Sequence, residues 1–260
     1  MMTINTIDIN EVLDGHIPKL TTMVASGNAE AILICGDAGI GKTFVVERTL
    51  KQYKLVDPQF HYSLIGGDIS KIGLYKALYD NRTGLILFDD IDSVLSSDCE
   101  DILKNAINTK KNRVISYKKS NRDLFNAAGM SEMQKRRTYL EYEGEKYPNQ
   151  FSFAGSCIFI SNKSLESIDE AVKDRCVGRI YLNFPLEQIV QRILYLINDI
   201  NPRNGSLDVN QKYEVLQHLY EDAKKKSLKL SLRNYVNALS YRISFPDNGE
   251  WKEMVDLYLN

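Results

Sequence analysis

Five short apolar runs divide the first 185 residues, and polar or glycine-rich sequence follows each of them. They are EAILICG (30–36), QFHYSLIG (59–66), GLILF (84–88), SCIFIS (156–161) and RIYLNF (179–184). Fully apolar runs such as GLILF are typical of strands whose two faces are both covered. Segments with helical spacing lie between the runs, for example SKIGLYKALYDN (70–81). This alternation predicts a parallel sheet with helices on both faces.

The hydrophobic pattern changes after Pro185, where the strand-like runs stop and helical spacing takes over. The segments that show it are LEQIVQRILYLIND (186–199), NQKYEVLQHLYEDAKKK (210–226) and SLRNYVNALSYRI (231–243). We therefore predict an α/β core over residues 1–185, with an insert at about 108–150, and an all-helical domain over residues 186–260. Ser167 and Glu170 have the spacing of a capping box and predict the start of a short helix in the core.

The composition of the chain argues against a zinc protein, a secreted protein and a membrane protein, but it does not indicate a function. The 33 basic and 34 acidic residues nearly cancel, so any surface for a polyanion must be local. The four cysteines form no CxxC pair, and the three scattered histidines add no zinc-site spacing. The amino terminus lacks the features of a signal peptide, and no apolar stretch approaches the roughly 20 residues of a membrane span. We expect reduced thiols and a cytoplasmic protein that does not enter a membrane.

The segment GDAGIGKT (36–43) matches the pattern G-x-x-x-x-G-K-[ST] between a predicted strand and a predicted helix. In this context the backbone N–H groups of the loop surround phosphates, and the helix amino end adds its positive dipole. Lys42 is expected to reach the β- and γ-phosphates of ATP, and Thr43 to bind Mg²⁺ through its hydroxyl. The residues predicted to bind the nucleotide are Gly36, Asp37, Ala38, Gly39, Ile40, Gly41, Lys42, Thr43 and Phe44.

Aspartates crowd the end of the third apolar run, in the segment LILFDDID (85–92). Neighbouring carboxylates repel one another unless a cation lies among them, and a bound Mg²⁺ would offset that repulsion. Asp89 is expected to hold Mg²⁺ as a Walker B aspartate does, and Asp90 to polarise the attacking water. Asp92 is interpreted as a loop residue that caps backbone amides.

Polar residues at three later positions have both a functional and an ordinary explanation. Asn162 ends the strand-like CIFISN (157–162), where it could orient water or simply begin a turn. Arg175 ends the helix-like segment IDEAVKDR (168–175), and Arg179 follows; each could instead be a solvated charge. Arg233 lies in the first turn of a predicted helix, where the helix dipole disfavours a cation. That position suggests an anionic ligand, although a nearby glutamate would also satisfy it.

Taken in order, GDAGIGKT, LILFDD, IFISN, AVKDRC and SLRNY resemble the motifs of the AAA+ ATPases. The resemblance implies a P-loop NTPase αβα sandwich with a parallel five-stranded sheet, followed by a small all-helical lid domain. It also implies Mg²⁺-dependent ATP hydrolysis in a homo-oligomeric ring or spiral, with a hexamer among the candidate assemblies and ATP at the subunit interfaces. Asn162 would be sensor 1, Arg233 sensor 2, and Arg175 or Arg179 the arginine finger.

Within the AAA+ family, the sequence looks most like small ATPases of phage and viral replication. It is more distantly similar to clamp-loader and helicase-loader subunits. One position departs from the family pattern, because Asp90 stands where glutamate usually follows the Walker B aspartate. Its carboxylate has about 1.5 Å less reach, which puts rapid hydrolysis by the usual mechanism in question.

The insert carries a local positive charge. From Lys110 to Arg137 it holds nine basic residues against two acidic ones, an excess of +7, with Tyr117 and Phe125 interleaved. Charge combined with aromatic residues is typical of a surface that follows phosphates and stacks bases, although charge runs are often only solvated. The segments RVISY (113–117) and RTYLEYE (137–143) are predicted to pair as a hairpin. The candidate nucleic-acid contacts are Lys110, Lys111, Arg113, Lys118, Lys119, Arg136 and Arg137.

Lys71 and Tyr75 lie in GGDISKIGLY (66–75), where AAA+ proteins often place a loop that grips substrate. Tyr75 fits the apolar spacing of the predicted helix, so we interpret it as a core residue instead.

These features leave three functional hypotheses. The first is an ATPase that remodels or loads onto nucleic acid in DNA replication or recombination. The second is a protein-remodelling chaperone, and the third is a nucleotide-dependent switch or scaffold that hydrolyses ATP weakly.

Overall fold

The computed structural model of the chain describes residues 7–90, 95, 99–110, 112–117, 139–246 and 249–258. The strands are β1 Ala31–Gly36, β2 Tyr62–Gly66, β3 Leu85–Asp89, β4 Arg113–Ser116, β5 Tyr139–Tyr142, β6 Glu145–Pro148, β7 Gln150–Phe153, β8 Ser156–Ser161 and β9 Gly178–Leu182. The α-helices are α1 Ile9–Glu11, α2 Ile17–Ala25, α3 Lys42–Val56, α4 Lys71–Asp80, α5 Glu100–Ala106, α6 Glu170–Arg175, α7 Leu186–Leu196, α8 Val209–Lys226, α9 Leu232–Ser244 and α10 Glu250–Tyr258. A π-helical turn, Val12–His16, joins α1 to α2.

Five strands of the described chain form one sheet in the order β2-β3-β8-β1-β9. β8 runs parallel to both of its neighbours, β1 and β3, and β2 runs parallel to β3. All six residues of β1 are buried, as its unbroken apolar sequence predicts. The prediction of a parallel five-stranded sheet with flanking helices is therefore confirmed. Because the strands are parallel, Gly36, Asp89 and Ser161 all end strands at the same edge of the sheet.

Internal contacts divide the chain into two compact units. The sheet unit comprises Lys19–Gly36 and Val46–Tyr181, and the helical unit comprises Met1–Pro18, Asp37–Val45 and Leu182–Asn260. Most of the glycine-rich loop thus belongs to the same unit as the carboxyl-terminal helices. The division into domains at residue 185 stays a prediction.

Aromatic packing holds the insert to α4 within the sheet unit. The ring of Phe151 in β7 lies 5.1 Å from the ring of Tyr75 and 5.3 Å from that of Tyr79. Tyr75 is fully buried and donates its hydroxyl to the carbonyl of Pro148 at 2.7 Å. Burial raises the pKa of Tyr75 to about 12, so the phenol stays protonated. The interpretation of Tyr75 as a core residue is confirmed.

The predicted hairpin in the insert is wrong. β4 pairs antiparallel with β7, and β5 pairs antiparallel with β6, so RVIS and YLEY belong to different two-stranded sheets. The turn Glu143–Gly144, both with positive φ, joins β5 directly to β6 and makes that pairing local. Sequence spacing alone did not show that QFSF at residues 150–153 is the partner of β4.

An ion pair of a buried arginine joins the amino-terminal segment of the helical unit to α7. Arg192 of α7 is almost fully buried and bonds to the carboxylate of Asp14 in the π-helical turn. It also donates to the side-chain oxygen of Asn10 at 2.8 Å. In the same unit, the buried Tyr235 donates its hydroxyl to the carbonyl of Lys212 at 3.1 Å. These bonds satisfy polar groups that would otherwise be costly to bury.

Within the described residues, no helix is long and apolar enough to cross a membrane. The same residues contain no group of three or more histidine, cysteine or acidic side chains that could hold a metal ion. All four cysteines are buried, and none forms a disulfide.

Candidate nucleotide-binding and catalytic site

The glycine-rich loop leads from β1 into α3. Gly39 and Gly41 have backbone φ angles of +75° and +96°, a conformation that residues with a Cβ rarely adopt. Lys42 is 5% exposed and donates its Nζ to the carbonyl oxygen of Asp37 at 2.8 Å. The loop therefore curls around its own lysine at the amino end of a 15-residue helix. This geometry suits phosphate binding, because helix N–H groups and a lysine ammonium are directed to one place.

A cleft of 490 Å³ opens beside this loop within the helical unit, and we call it the glycine-loop cleft. Its volume falls within the ordinary range for small-molecule sites. Its lining combines apolar side chains with charged and polar ones, which suits a ligand that has an apolar part and a charged part. Its lining residues are Asp37, Ala38, Gly39, Ile40, Phe184, Pro185, Leu186, Ile189, Leu228, Lys229, Leu230, Ser231, Arg233 and Asn234.

The start of α9 touches the glycine-rich loop directly. A Cβ added to Gly39 would lie 2.9 Å from the hydroxyl of Ser231 and 3.1 Å from the Cβ of Arg233, so no larger residue fits at position 39 without a shift. Ser231 caps α9, since its hydroxyl accepts the N–H of Asn234 at 3.1 Å. This contact places Arg233 at the rim of the cleft.

Arg233 is exposed at the second position of α9. Among the described residues, its guanidinium forms neither a hydrogen bond nor an ion pair, so the nearby glutamate that the sequence left open is not among them. A cation in the first turn of a helix without an acidic neighbour is unfavourable. The arrangement favours an anionic ligand at the cleft.

The two aspartates predicted to act in catalysis, Asp89 and Asp90, lie in the sheet unit. Asp89, the last residue of β3, is half-buried and lies opposite Ile160 of β8. Asp90 has a φ angle of +55° and donates its N–H to the carbonyl of Ile160 at 3.1 Å. Its carboxylate accepts a hydrogen bond from the Nδ2 of Asn162 at 2.7 Å. The fold thus brings Asp90, the predicted partner of the attacking water, into contact with Asn162, which the sequence suggested could orient water.

The two candidate arginine fingers lie at the end of α6 and the start of β9. Arg175 is half-buried and donates to the carbonyl of Ala171, one turn earlier, at 2.6 Å. Arg179 is exposed and pairs with Asp174 at 3.2 Å. Neither contact favours one arginine over the other, so the finger assignment stays a prediction.

Arg113 makes structural contacts within the sheet unit, and its predicted contact with phosphate stays a prediction. Its guanidinium donates to the carbonyls of Ala106 at 2.8 Å and Gly155 at 2.7 Å, and it lies over the ring of Phe153. Burial lowers the pKa of Arg113, and these carbonyls use its donors. Lys110 is exposed and remains a candidate. The remaining candidate nucleic-acid contacts lie outside the described residues; they are Lys111, Lys118, Lys119, Arg136 and Arg137. Asp92 lies outside them as well.

Several cleft residues carry no signal that sequence reasoning could have found. Phe184, Ile189, Leu228 and Lys229 line the cleft but belong to no motif. Their positions depend on how the carboxyl-terminal helices pack on the loop, which periodicity does not show. For Lys71, at the start of α4, no contact with the described part of the chain supports or opposes its predicted role as a substrate-gripping residue.

A parallel sheet with a glycine-rich loop after its first strand, followed by a carboxyl-terminal helical part, defines a P-loop NTPase fold of the AAA+ type. No family model matches the chain. It is 26% identical over 253 residues to an uncharacterized 36.7 kDa protein in the nrdC-mobD intergenic region of Enterobacteria phage T4. That alignment covers 92% of this chain and 71% of the phage protein.

Solved structures of AAA+ ATPases share the fold. The replication initiator DnaA bound to AMPPCP and single-stranded DNA matches with a TM-score of 0.52 at 14% identity, over 97% of this chain and 66% of that one. A variant of Thermotoga maritima RuvB matches with a TM-score of 0.50 at 10% identity, over 97% of this chain and 68% of that one. The chain therefore shares the fold of these AAA+ proteins.

Proposed function

We propose that the protein is a Mg²⁺-dependent AAA+ ATPase that binds ATP in the glycine-loop cleft. The observation that carries this proposal is the glycine-rich loop with Lys42 at its helix, facing a cleft whose rim holds Arg233. A lining that combines apolar side chains with the cations Lys229 and Arg233 suits a nucleotide better than an uncharged ligand. Lys42 would bind the β- and γ-phosphates, and Arg233 would act as sensor 2. The AAA+ fold of the chain supports the assignment.

Thr43 and Asp89 are the residues we propose to hold Mg²⁺. Both offer oxygen ligands, which Mg²⁺ prefers, and a hydroxyl with one or two carboxylates is a usual protein contribution. Bound Mg²⁺ neutralises charge that develops on the phosphates. We propose that Asp90 orients the attacking water, with Asn162 as the sensor that holds the Asp90 carboxylate at 2.7 Å.

We further propose that the ATPase remodels or loads onto nucleic acid as a homo-oligomeric ring or spiral. ATP would lie at subunit interfaces, and Arg175 or Arg179 would reach the nucleotide of a neighbouring subunit. The excess of +7 in the insert supports a nucleic-acid partner. The fold shared with a DnaA bound to single-stranded DNA is consistent with it. The core at 1–185, the helical lid at 186–260 and a cytoplasmic location remain part of this proposal.

ATPase activity measured with single- and double-stranded DNA at several salt concentrations tests this function. We expect DNA to stimulate hydrolysis and the stimulation to fade as salt rises, because phosphate contacts release counterions. Hydrolysis without binding to either form of DNA would contradict the nucleic-acid role. Stimulation by an unfolded polypeptide instead would favour a protein-remodelling chaperone.

The Asn162–Asp90 hydrogen bond favours a second candidate, a nucleotide-dependent switch with weak hydrolysis. The bond occupies the shorter carboxylate that stands in place of glutamate. A time course of phosphate release with ATP in excess over the protein separates the two candidates. A switch would bind ATP and stay assembled long after mixing, whereas a motor would release phosphate repeatedly.

A further inference from the structure

Asp37 places a negative charge in a loop that we propose to hold a polyanion. Its backbone is fixed on both sides: the N–H donates to Leu182 at 3.1 Å, and the carbonyl accepts from Lys42 at 2.8 Å. The carboxylate therefore extends from a rigid position. Without a compensating cation it would repel bound phosphates.

Lys229 supplies that cation from the segment between α8 and α9. Its Nζ lies 3.0 and 3.1 Å from the two carboxylate oxygens of Asp37. The side chain of Lys229 is 79% exposed and that of Asp37 is 33% exposed, so the pair lies in contact with solvent. Among the described residues, Asp37 is the only side chain that pairs with Lys229.

The backbone around Lys229 is also held in place. Ser227 caps the carboxyl end of α8 in the left-handed conformation. Leu228 donates its N–H to the carbonyl of Ala223 at 3.0 Å. Leu230 is buried, and Ser231 starts α9. The segment Leu228–Ser231 thus has fixed ends, and Lys229 reaches the loop without needing to reorganise it.

We propose that the Lys229–Asp37 ion pair is the contact that holds segment 228–231 over the glycine-rich loop and slows nucleotide release. This inference rests on the proposed ATP site, because both residues line the glycine-loop cleft. Lys229 acts through Asp37 and the loop, so it is a positioning residue. The segment already touches the loop at Gly39, where Ser231 leaves no room for a Cβ. Breaking the pair would loosen that contact at the mouth of the cleft.

The expected effect is modest, because solvent-exposed ion pairs contribute little and salt screens them. Lys229→Met should release nucleotide about two- to five-fold faster than the unmodified chain at low salt. The same substitution in an Asp37→Asn background should change the release rate little, since the partner charge is already gone. High salt should bring the release rate of the unmodified chain towards that of Lys229→Met.

The experiment is stopped-flow displacement of a fluorescent ADP analogue from the full chain by excess ADP. Lys225→Met is the matched control, because Lys225 is an exposed lysine near the end of α8, four positions before Lys229, and pairs with no described residue. Thermal melting of each variant checks that the fold is unchanged. A rate change in Lys229→Met that is as large in the Asp37→Asn background would overturn the pairing.

Failure of this inference differs from failure of the proposed function. If the unmodified chain binds no fluorescent nucleotide, the ATP site itself is wrong. If it binds, and Lys229→Met releases nucleotide at the rate of the unmodified chain, the ATP site stands. The proposal that Lys229 slows nucleotide release is then wrong.

Discussion

Asp90 combines an unusual backbone conformation with a specific side-chain contact. Its φ angle of +55° lies in a region that aspartate and asparagine enter more readily than most residues. The hydrogen bonds to Ile160 and Asn162 fix both its backbone and its carboxylate. A fixed geometry is useful if the short side chain must present one oxygen to a water molecule. Glutamate at this position would reach further but would lose the local preference for the left-handed region.

We expect Asp90→Asn to keep ATP binding and to lose hydrolysis by about a hundred-fold or more, the usual contribution of a general base. The amide keeps the size of the side chain but cannot accept a proton. Phosphate release and binding of a fluorescent ATP analogue, measured on the same preparation, check both halves of the expectation. Turnover equal to that of the unmodified chain would remove Asp90 from the mechanism.

The buried thiols of Cys157 and Cys176 should make the free energy of unfolding fall as the pH becomes alkaline. Burial raises the pKa of Cys157 and of Cys176 from 9.0 to about 12 in each case. A pKa raised in the folded state gives stability that is present below the unfolded pKa and is lost as pH rises towards the folded one. The window therefore runs from about pH 9 to about pH 12.

At about pH 10 each thiol should cost about 1 kcal/mol of the free energy of unfolding. Urea denaturation at about pH 8 and about pH 10 measures the loss, with Cys157→Ala as the comparison. The variant should lose less stability between the two pH values, whatever its stability at the lower one. An equal loss in both proteins would show that Cys157 is not the titrating group.

Among the structural elements, the insert depends on its contact with α4. Phe151 packs between the rings of Tyr75 and Tyr79, and it is 8% exposed. We expect Phe151→Ala to lower the free energy of unfolding by about 3 kcal/mol, because it removes a buried ring and leaves a cavity. Val114→Ala is the control, since Val114 lies in the paired strand β4 but is largely exposed. Urea denaturation of the two variants makes the comparison, and equal losses would contradict the packing role of Phe151.

The core elements were largely predictable because their signals are local. Each of the five apolar runs overlaps a sheet strand, and the strand boundaries differ from those of the run by three residues or fewer at either end. The helix cap was not predictable in the same way. The capping box at Ser167 and Glu170 is wrong, because Asp169 caps α6 and Ser167 instead closes a short 3₁₀ turn. Two competing capping residues so close together cannot be ranked from spacing alone.

At the scale of the whole chain, contacts between segments distant in sequence could not be predicted from the sequence. Arg192 and Asp14 are 178 positions apart, and neither belongs to a motif. The Lys229–Asp37 pair spans 192 positions, and spacing likewise gives no sign of it. Motifs identified the loop and the acidic strand because their chemistry is encoded in adjacent residues. Contacts that complete the cleft depend on tertiary packing, which a single sequence does not specify.

The most direct measurement is phosphate release from ATP by the full chain with Mg²⁺, compared between the unmodified protein, Lys42→Ala and Lys51→Ala. Lys42 is buried against the glycine-rich loop, whereas Lys51 is an exposed lysine of the same helix, paired only with Glu47 one turn away among the described residues. We expect Mg²⁺-dependent release that Lys42→Ala abolishes and Lys51→Ala leaves within about two-fold. Hydrolysis that persists in a folded Lys42→Ala variant would contradict the glycine-rich loop as the ATP site.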